Sequence, residues 1–229
     1  MTDRIRTLGF FGDSFCQDIH NAHCDQHHYE TYLQMLSTHW QAEIVCVGRG
    51  GSSAWDLVLL QWPQQQSRAV PDVCVMVWPD YHRLFDRRRR NINWRSSQYV
   101  QTPEHEAARA YYRHLYDDEK HLREYQALLY HFDCVLLPQY AHTRFIHLWS
   151  FGELSAQGTR WYVHEWQQGR TITPALETLS LAAQETSLPE VDDRPNHIAG
   201  HEPNRWIADE IIQAVEQYHE VPQNRNKGV

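Results

Sequence analysis

The sequence predicts an α/β protein: a three-layer α/β/α sandwich around a central, mostly parallel sheet. Two observations carry that prediction. Short runs of continuous apolar residues alternate with segments of helical periodicity along the chain. The apolar runs lack the polar–apolar alternation of half-exposed strands, so they read as strands covered on both faces. A chain of 229 residues has room for one such core.

In order, residues 5–11 form the first predicted strand, Ile5-Arg6-Thr7-Leu8-Gly9-Phe10-Phe11. Residues 27–39 read as a helix with Tyr29, Tyr32, Leu33 and Leu36 on one face. Glu43-Ile44-Val45-Cys46-Val47 is a short buried strand. Ser53-Ala54-Trp55-Asp56 has the form of a capped helix start, and Pro63 is expected to end that helix. Val73-Cys74-Val75-Met76-Val77-Trp78 is the clearest strand. Thr102-Pro103-Glu104 opens a helix with a capping residue followed by proline. That helix carries Ala108, Tyr111, Leu115, Leu122, Tyr125 and Leu129. Asp133-Cys134-Val135-Leu136-Leu137 is expected to be the fourth strand. Glu202-Pro203 opens a last helix with Ile207, Ile211, Val215 and Tyr218 on its face.

One domain is expected over residues 1–218, with insertions near 82–102 and 140–192 and a polar, frayed tail at 219–229. The formal net charge of −8 argues against a nucleic-acid partner. No apolar run reaches membrane-span length, and Met1-Thr2-Asp3-Arg4 leads into no signal-peptide core. The five cysteines are an odd number, and Cys46, Cys74 and Cys134 fall in predicted strands. They read as buried free thiols, and a cytoplasmic location is expected.

Four segments collect at one edge of such a sheet. Gly12-Asp13-Ser14 follows strand one, and Gly48-Arg49-Gly50-Gly51-Ser52-Ser53 follows strand two. Pro79-Asp80-Tyr81-His82 follows strand three, and Asp192-Asp193-Arg194-Pro195-Asn196-His197 precedes the last helix. Ligands of open α/β sheets bind beyond the carboxyl ends of the strands. A serine on a tight turn, a glycine-rich turn and a late Asp/His pair are the parts that acyl transfer requires.

These blocks, with Asn204-Arg205-Trp206-Ile207-Ala208 after them, resemble those of the SGNH (GDSL-type) hydrolase superfamily. The resemblance implies the flavodoxin-like SGNH fold and hydrolysis of a carboxylic ester, acetyl or other acyl, on a small-molecule, glycan or lipid alcohol. It implies no cofactor and no metal. Ser14 would be the nucleophile, His197 the general base and acid, and Asp193 the group that orients His197. Backbone N–H groups of Ser14 and Gly51 would contribute to the oxyanion hole. Gly51, Asp13, Asp80 and His82 are the expected oxyanion and substrate-binding residues.

Three departures accompany the resemblance. The family places its aspartate three residues before the histidine, where Arg194 stands here, so Asp192 is an alternative to Asp193. The family's third block, Gly-x-Asn-Asp, reads Val77-Trp78-Pro79-Asp80. Its oxyanion-binding asparagine is missing, and loss of one such donor costs about 10²–10³ in rate. His82, Tyr81, Asn91 or Asn93 are the candidates to replace it. His201 is the alternative to His197.

Other features of the chain read more plainly as structural than as functional. The cluster His20-Asn21-Ala22-His23-Cys24-Asp25-Gln26-His27-His28 offers zinc-type ligands, but 16 histidines make such local clusters expected. Arg87-Arg88-Arg89-Arg90, with Trp94 and Tyr99, reads as a solvated insertion before an anion-binding one. Trp149, Phe151, Trp161, Tyr162 and Trp166 read as core before sugar-stacking residues. Cys16 is a second possible nucleophile near Ser14. A catalytically weak binding protein on the same fold is the main rival reading, ahead of a metal-binding module.

Overall fold

A computed structural model describes residues 4–17, 30–85, 92, 94–150, 166–172, 176, 198 and 200–220. Five parallel strands form one sheet in the order β2-β1-β3-β4-β5. They are β1 (Thr7–Phe11), β2 (Glu43–Cys46), β3 (Val73–Trp78), β4 (Arg144–Trp149) and β5 (Arg170–Thr171). This is the doubly wound, flavodoxin-like order, whose switch point lies between β1 and β3. The α/β/α sandwich expected from the sequence is therefore observed.

Strand side chains alternate between the two faces, and both faces of the central strands are covered; β2 is not the buried strand expected, because at the sheet edge Glu43 and Val47 are exposed and Ile44 to Cys46 only half-buried. On one face Leu8, Phe10, Val73, Val75, Val77, Ile146 and Leu148 pack with α1 (Tyr32–Trp40) and α6 (His201–Glu216). On the other, Phe11, Cys74, Met76, Trp78, Phe145 and Trp149 pack with α2 and α5. Helix α2 runs through Ala54–Asp56, Leu57–Gln61 and Trp62–Gln66, and α5 is Asp118–His131. Two further helices, α3 (Trp94–Tyr99) and α4 (Pro103–His114), lie between β3 and α5.

Helix boundaries follow their caps. Thr31 and Gln34 form a capping box on α1, so it starts later than the periodicity of residues 27–39 suggests. Ser53 and Asp56 form another on α2. The helix expected from Pro103 to Leu129 is two helices: Asp117 accepts from the Lys120 N–H at 2.8 Å and caps α5, leaving Leu115 exposed at the break.

Two sequence expectations are overturned. Pro63 does not end α2. The turn before it, Leu57–Gln61, is a π turn, in which the Trp62 N–H reaches back to the Leu57 carbonyl. Widening the helix there accommodates a ring that would otherwise crowd the carbonyl four residues earlier. Residues 133–137 are not a strand either. Phe132–Leu136 is a π turn continuing α5, and the fourth strand is Arg144–Trp149. Asp133 is buried and accepts the N–H groups of Gln167 and Gln168 at 2.7 and 2.8 Å, which fixes this segment as a helix end.

Cys16, Cys46, Cys74 and Cys134 are free thiols; Cys74 is buried as expected, whereas Cys46, in the edge strand, and Cys134 are only half-buried. Cys134 sits in the π turn rather than in a strand. Among the described residues, no helix is long and apolar enough to cross a membrane.

Candidate active site

Ser14 stands at the carboxyl end of β1, beside the switch point of the sheet. It is the first residue of a 3₁₀ turn, Ser14–Cys16, whose N-cap is Asp13. The chain can turn so sharply because residue 12 is glycine. Gly12 has φ +143°, and a Cβ there would lie 2.1 Å from the Val77 carbonyl oxygen. The side chain of Asp13 accepts the Phe15 N–H at 3.1 Å, and Gln17 N–H bonds to the Ser14 carbonyl at 3.3 Å. Ser14 itself is half-buried.

The loop after β2 lies against this turn. Gly48 N–H donates to the Cys16 carbonyl and Arg49 N–H to the Gly12 carbonyl, each at 3.0 Å. A Cβ at Gly48 would sit 2.1 Å from the Cys16 sulfur, so only glycine fits there. A Cβ at Gly50 would face the Ser14 Cβ at 3.8 Å, which places this loop directly beside the serine. Gly51 has φ +78°. Among the described residues, neither the Ser14 N–H nor the Gly51 N–H donates a hydrogen bond.

Gln61, from the π turn of α2, fastens the two loops together. Its amide oxygen accepts the Gly12 N–H at 2.9 Å. Its amide nitrogen donates to the Gly12 carbonyl at 2.8 Å and to Ser52 Oγ at 2.9 Å. Nothing local in the sequence marks this role, because one of many glutamines carries no signature.

The loop after β3 is built from charge and rings. Asp80 Oδ1 accepts both the backbone N–H and the Nδ1–H of His82, each at 2.7 Å. His82 Nε2 lies 3.0 Å from Asp118 Oδ1, which also accepts the hydroxyls of Tyr81 at 3.0 Å and Tyr116 at 3.1 Å. With a carboxylate at each ring nitrogen, the imidazolium form satisfies both. Burial alone would lower the pKa of His82, but the hydrogen bond and charge of Asp80, with Asp118, raise it above its ordinary value. Burial opposes ionisation of Asp118, and the hydrogen bonds from Tyr81, Tyr116 and His82 outweigh it and lower its pKa. In this arrangement the polar groups of Tyr81 and His82 point to carboxylates rather than to Ser14.

Asp13 is fully buried, and its carboxylate is turned inward to Phe15 N–H and, at 3.2 Å, to Arg83. It supports the serine turn from within. Cys16 is an unsuitable nucleophile: burial, then the charge of Asp13, pushes its thiol well above the ordinary range. His201 is exposed at the start of α6. Asp192, Asp193 and His197 lie outside the described residues, as do Asn91, Asn93, Arg87–Arg90 and the His20–His28 cluster. The described residues contain no group of three or more potential metal ligands. Trp166 stacks on His147 with ring centroids 3.6 Å apart and on Trp78 at 5.0 Å, in keeping with a core role.

Residues next to His197 are nevertheless tied to the serine turn. Ile198 is fully buried in the same core cluster as Phe15. The Ile198 carbonyl accepts from the Asn204 side chain at 3.2 Å. The oxygen of that side chain accepts the Tyr32 N–H at 3.0 Å, and the Tyr32 hydroxyl donates to the Phe15 carbonyl at 3.0 Å.

No protein-family model and no curated protein matches the chain. Among solved structures, the chain is similar to the acetyl xylan esterase AlAXEase, with 18% identity and a TM-score of 0.47 over 91% of this chain and 99% of that one. It is similar to the psychrotrophic esterase EstA from Pseudoalteromonas sp. at 10% identity and a TM-score of 0.48, over 94% of this chain and 100% of that one. A GDSL-like lipase from Parabacteroides merdae is similar at 13% identity and a TM-score of 0.44, covering 93% of this chain and 96% of its own.

Proposed function

We propose that this protein is a serine hydrolase of the SGNH type that cleaves a carboxylic ester through an acyl-enzyme on Ser14. The observation that carries the reading is the setting of Ser14: on a tight turn at the sheet's switch point, facing a glycine loop, with the N–H groups of Ser14 and Gly51 open to an oxyanion. In this reading Ser14 Oγ attacks the ester carbonyl as His197 takes its proton. The tetrahedral oxyanion rests on the two N–H groups. Its collapse expels the alcohol, which takes the proton from His197. Water, deprotonated by His197, then attacks the acyl-enzyme and releases the acid, and the proton returns to Ser14.

The chain of bonds from Ile198 through Asn204 and Tyr32 to Phe15 supports His197 as that base, since it holds the neighbours of His197 and Ser14 together. Asp193 is assigned to orient the imidazole, with Asp192 as its alternative; His201, exposed on α6, is the alternative base. The substrate is a small-molecule, glycan or lipid ester. The test is labelling by a fluorophosphonate probe. An activated Ser14 becomes covalently labelled, and Ser14→Ala abolishes both labelling and turnover of a short-chain aryl ester while the fold persists. An unlabelled wild-type serine, or full turnover in Ser14→Ala, rejects the reading.

A second reading is a binding protein on this fold with little catalysis. One observation favours it: the third loop offers Pro79 where the family's asparagine would stand, and His82 and Tyr81 are engaged with carboxylates. The same labelling experiment separates the two.

A further inference from the structure

A buried carboxylate on the residue before the candidate nucleophile caps its turn, and its charge is answered from the third loop. Asp13 is fully buried. Its Oδ1 caps the serine turn through the Phe15 N–H, but its Oδ2 takes no aligned hydrogen bond among the described residues. What faces Oδ2 is Nη1 of Arg83 at 3.2 Å, on a side chain only 9% exposed. The same Nη1 donates to the Ser52 carbonyl at 3.0 Å. Arg83 thus starts in the third loop and touches both the serine loop and the glycine loop.

Its own position is well fixed. Arg83 N–H donates to the Asp80 carbonyl at 3.2 Å, and Leu84 N–H donates to the Ile92 carbonyl at 2.9 Å. The Tyr112 hydroxyl donates to the His82 carbonyl just before it.

A negative charge under the turn that begins at Ser14 opposes the growth of negative charge on an oxygen bound at that turn. In a water-poor site this opposition is strong. We infer that Arg83 is a positioning residue of this site: it cancels the buried charge of Asp13 beneath Ser14 and locks the three loops around the serine. The third loop, which lacks the asparagine donor, then contributes through the field around the oxyanion instead of through direct contact with it. This rests on the reading of Ser14 as the nucleophile.

The test compares wild type, Arg83→Gln, Arg83→Lys, and the charge-matched double variant Asp13→Asn/Arg83→Gln. Asparagine keeps the oxygen that caps Phe15 N–H while removing the charge. Each folded variant is assayed for fluorophosphonate labelling rate and for kcat and KM on a short-chain aryl ester. Arg83→Gln should lower labelling rate and kcat about 100-fold, on the scale of a lost oxyanion interaction, with KM changed less than about threefold. Arg83→Lys, which keeps the charge, should stay within about tenfold of wild type. The double variant should regain at least about tenfold over Arg83→Gln.

Equal labelling of wild type and Arg83→Gln overturns the inference while leaving Ser14 as nucleophile. A folded double variant no better than Arg83→Gln overturns it as well, since a purely steric clamp would behave that way. If Arg83→Gln does not fold, the double variant decides: folded and labelled within about tenfold of wild type supports the inference, folded and unlabelled rejects it. Wild type that is not labelled at all rejects the underlying reading and the inference with it.

Discussion

Around Gly12 and Gly51 the chain is held across the two loops chiefly by neutral amides, backbone N–H groups to carbonyls and the Gln61 side chain between Gly12 and Ser52, over the one buried ion pair of Asp13 with Arg83. Around Asp80 and Asp118 it is held by carboxylates, an imidazole and tyrosine hydroxyls on a partly exposed rim. Both regions border the same sheet edge. The amide bonds of the first are ones that no accessible pH change removes, and its geometry is set by glycines whose places a Cβ would crowd. The second has bonds whose strength depends on protonation. The difference assigns them different work: the amide-bonded loops can hold a reacting group in a constant geometry, whereas the charged rim ties the third loop to α5.

The sharpest break is Ser14→Ala, which should lower turnover of an aryl ester by more than about 10³-fold with no loss of thermal stability. Next is Gly12→Ala. Its φ of +143° and the 2.1 Å approach to the Val77 carbonyl should make it about 3 kcal/mol or more less stable in urea unfolding. Gln61→Ala leaves the Gly12 N–H without its partner and the Gly12 carbonyl with only the Arg49 N–H; it should cost about 1–3 kcal/mol, with ester turnover falling alongside stability. No comparable loss should follow from Tyr116→Phe on the rim, and a loss as large as that of Gln61→Ala would erase the contrast.

The smallest effect is that of pH. The raised pKa of His82 gives stability that is fully present below about pH 6.5 and is lost as pH rises through its folded value. The lowered pKa of Asp118 gives stability present above its ordinary value of 3.8 and lost as pH falls further. Between about pH 6 and 9 the wild-type Tm should fall by about 2 °C from this source, and His82→Gln should flatten that slope. A steeper slope in the variant would show that the rim is not where the dependence resides.

Much of the sheet was legible. The runs ending at Phe11 and Trp78 are apolar at nearly every position, as doubly covered strands must be, whereas β2 is an edge strand whose short apolar run only resembles a buried one. The fourth strand was not, because it carries Arg144 and His147, both buried. The stretch Val135-Leu136-Leu137 mimicked it, since so short an apolar run fits either period, and only the bonds from Asp133 to Gln167 and Gln168 decide it. At the candidate site, the turn at Gly12-Asp13-Ser14 and the glycine turn at Gly48–Ser53 are legible because turn chemistry is local. Gln61, Arg83 and Asp118 were not, because each acts on a loop distant in sequence and nothing in their neighbourhoods marks them.

The π turn in α2 acts as a phase shifter. Ala54, Leu57 and Val58 before and within it, and Trp62 and Gln65 after it, all reach buried positions, yet five residues separate the Leu57 carbonyl from the N–H it receives. Removing one residue between Leu57 and Leu60 would restore ordinary spacing and rotate everything downstream by about 100°. Gln61 would then swing away from Gly12, and Trp62 would leave the core. The length of this helix, counted in residues, is thus a setting of the loops around Ser14: a single-codon deletion distant from Ser14 in sequence would mistune them, whereas the same deletion in a polar surface loop would pass unnoticed.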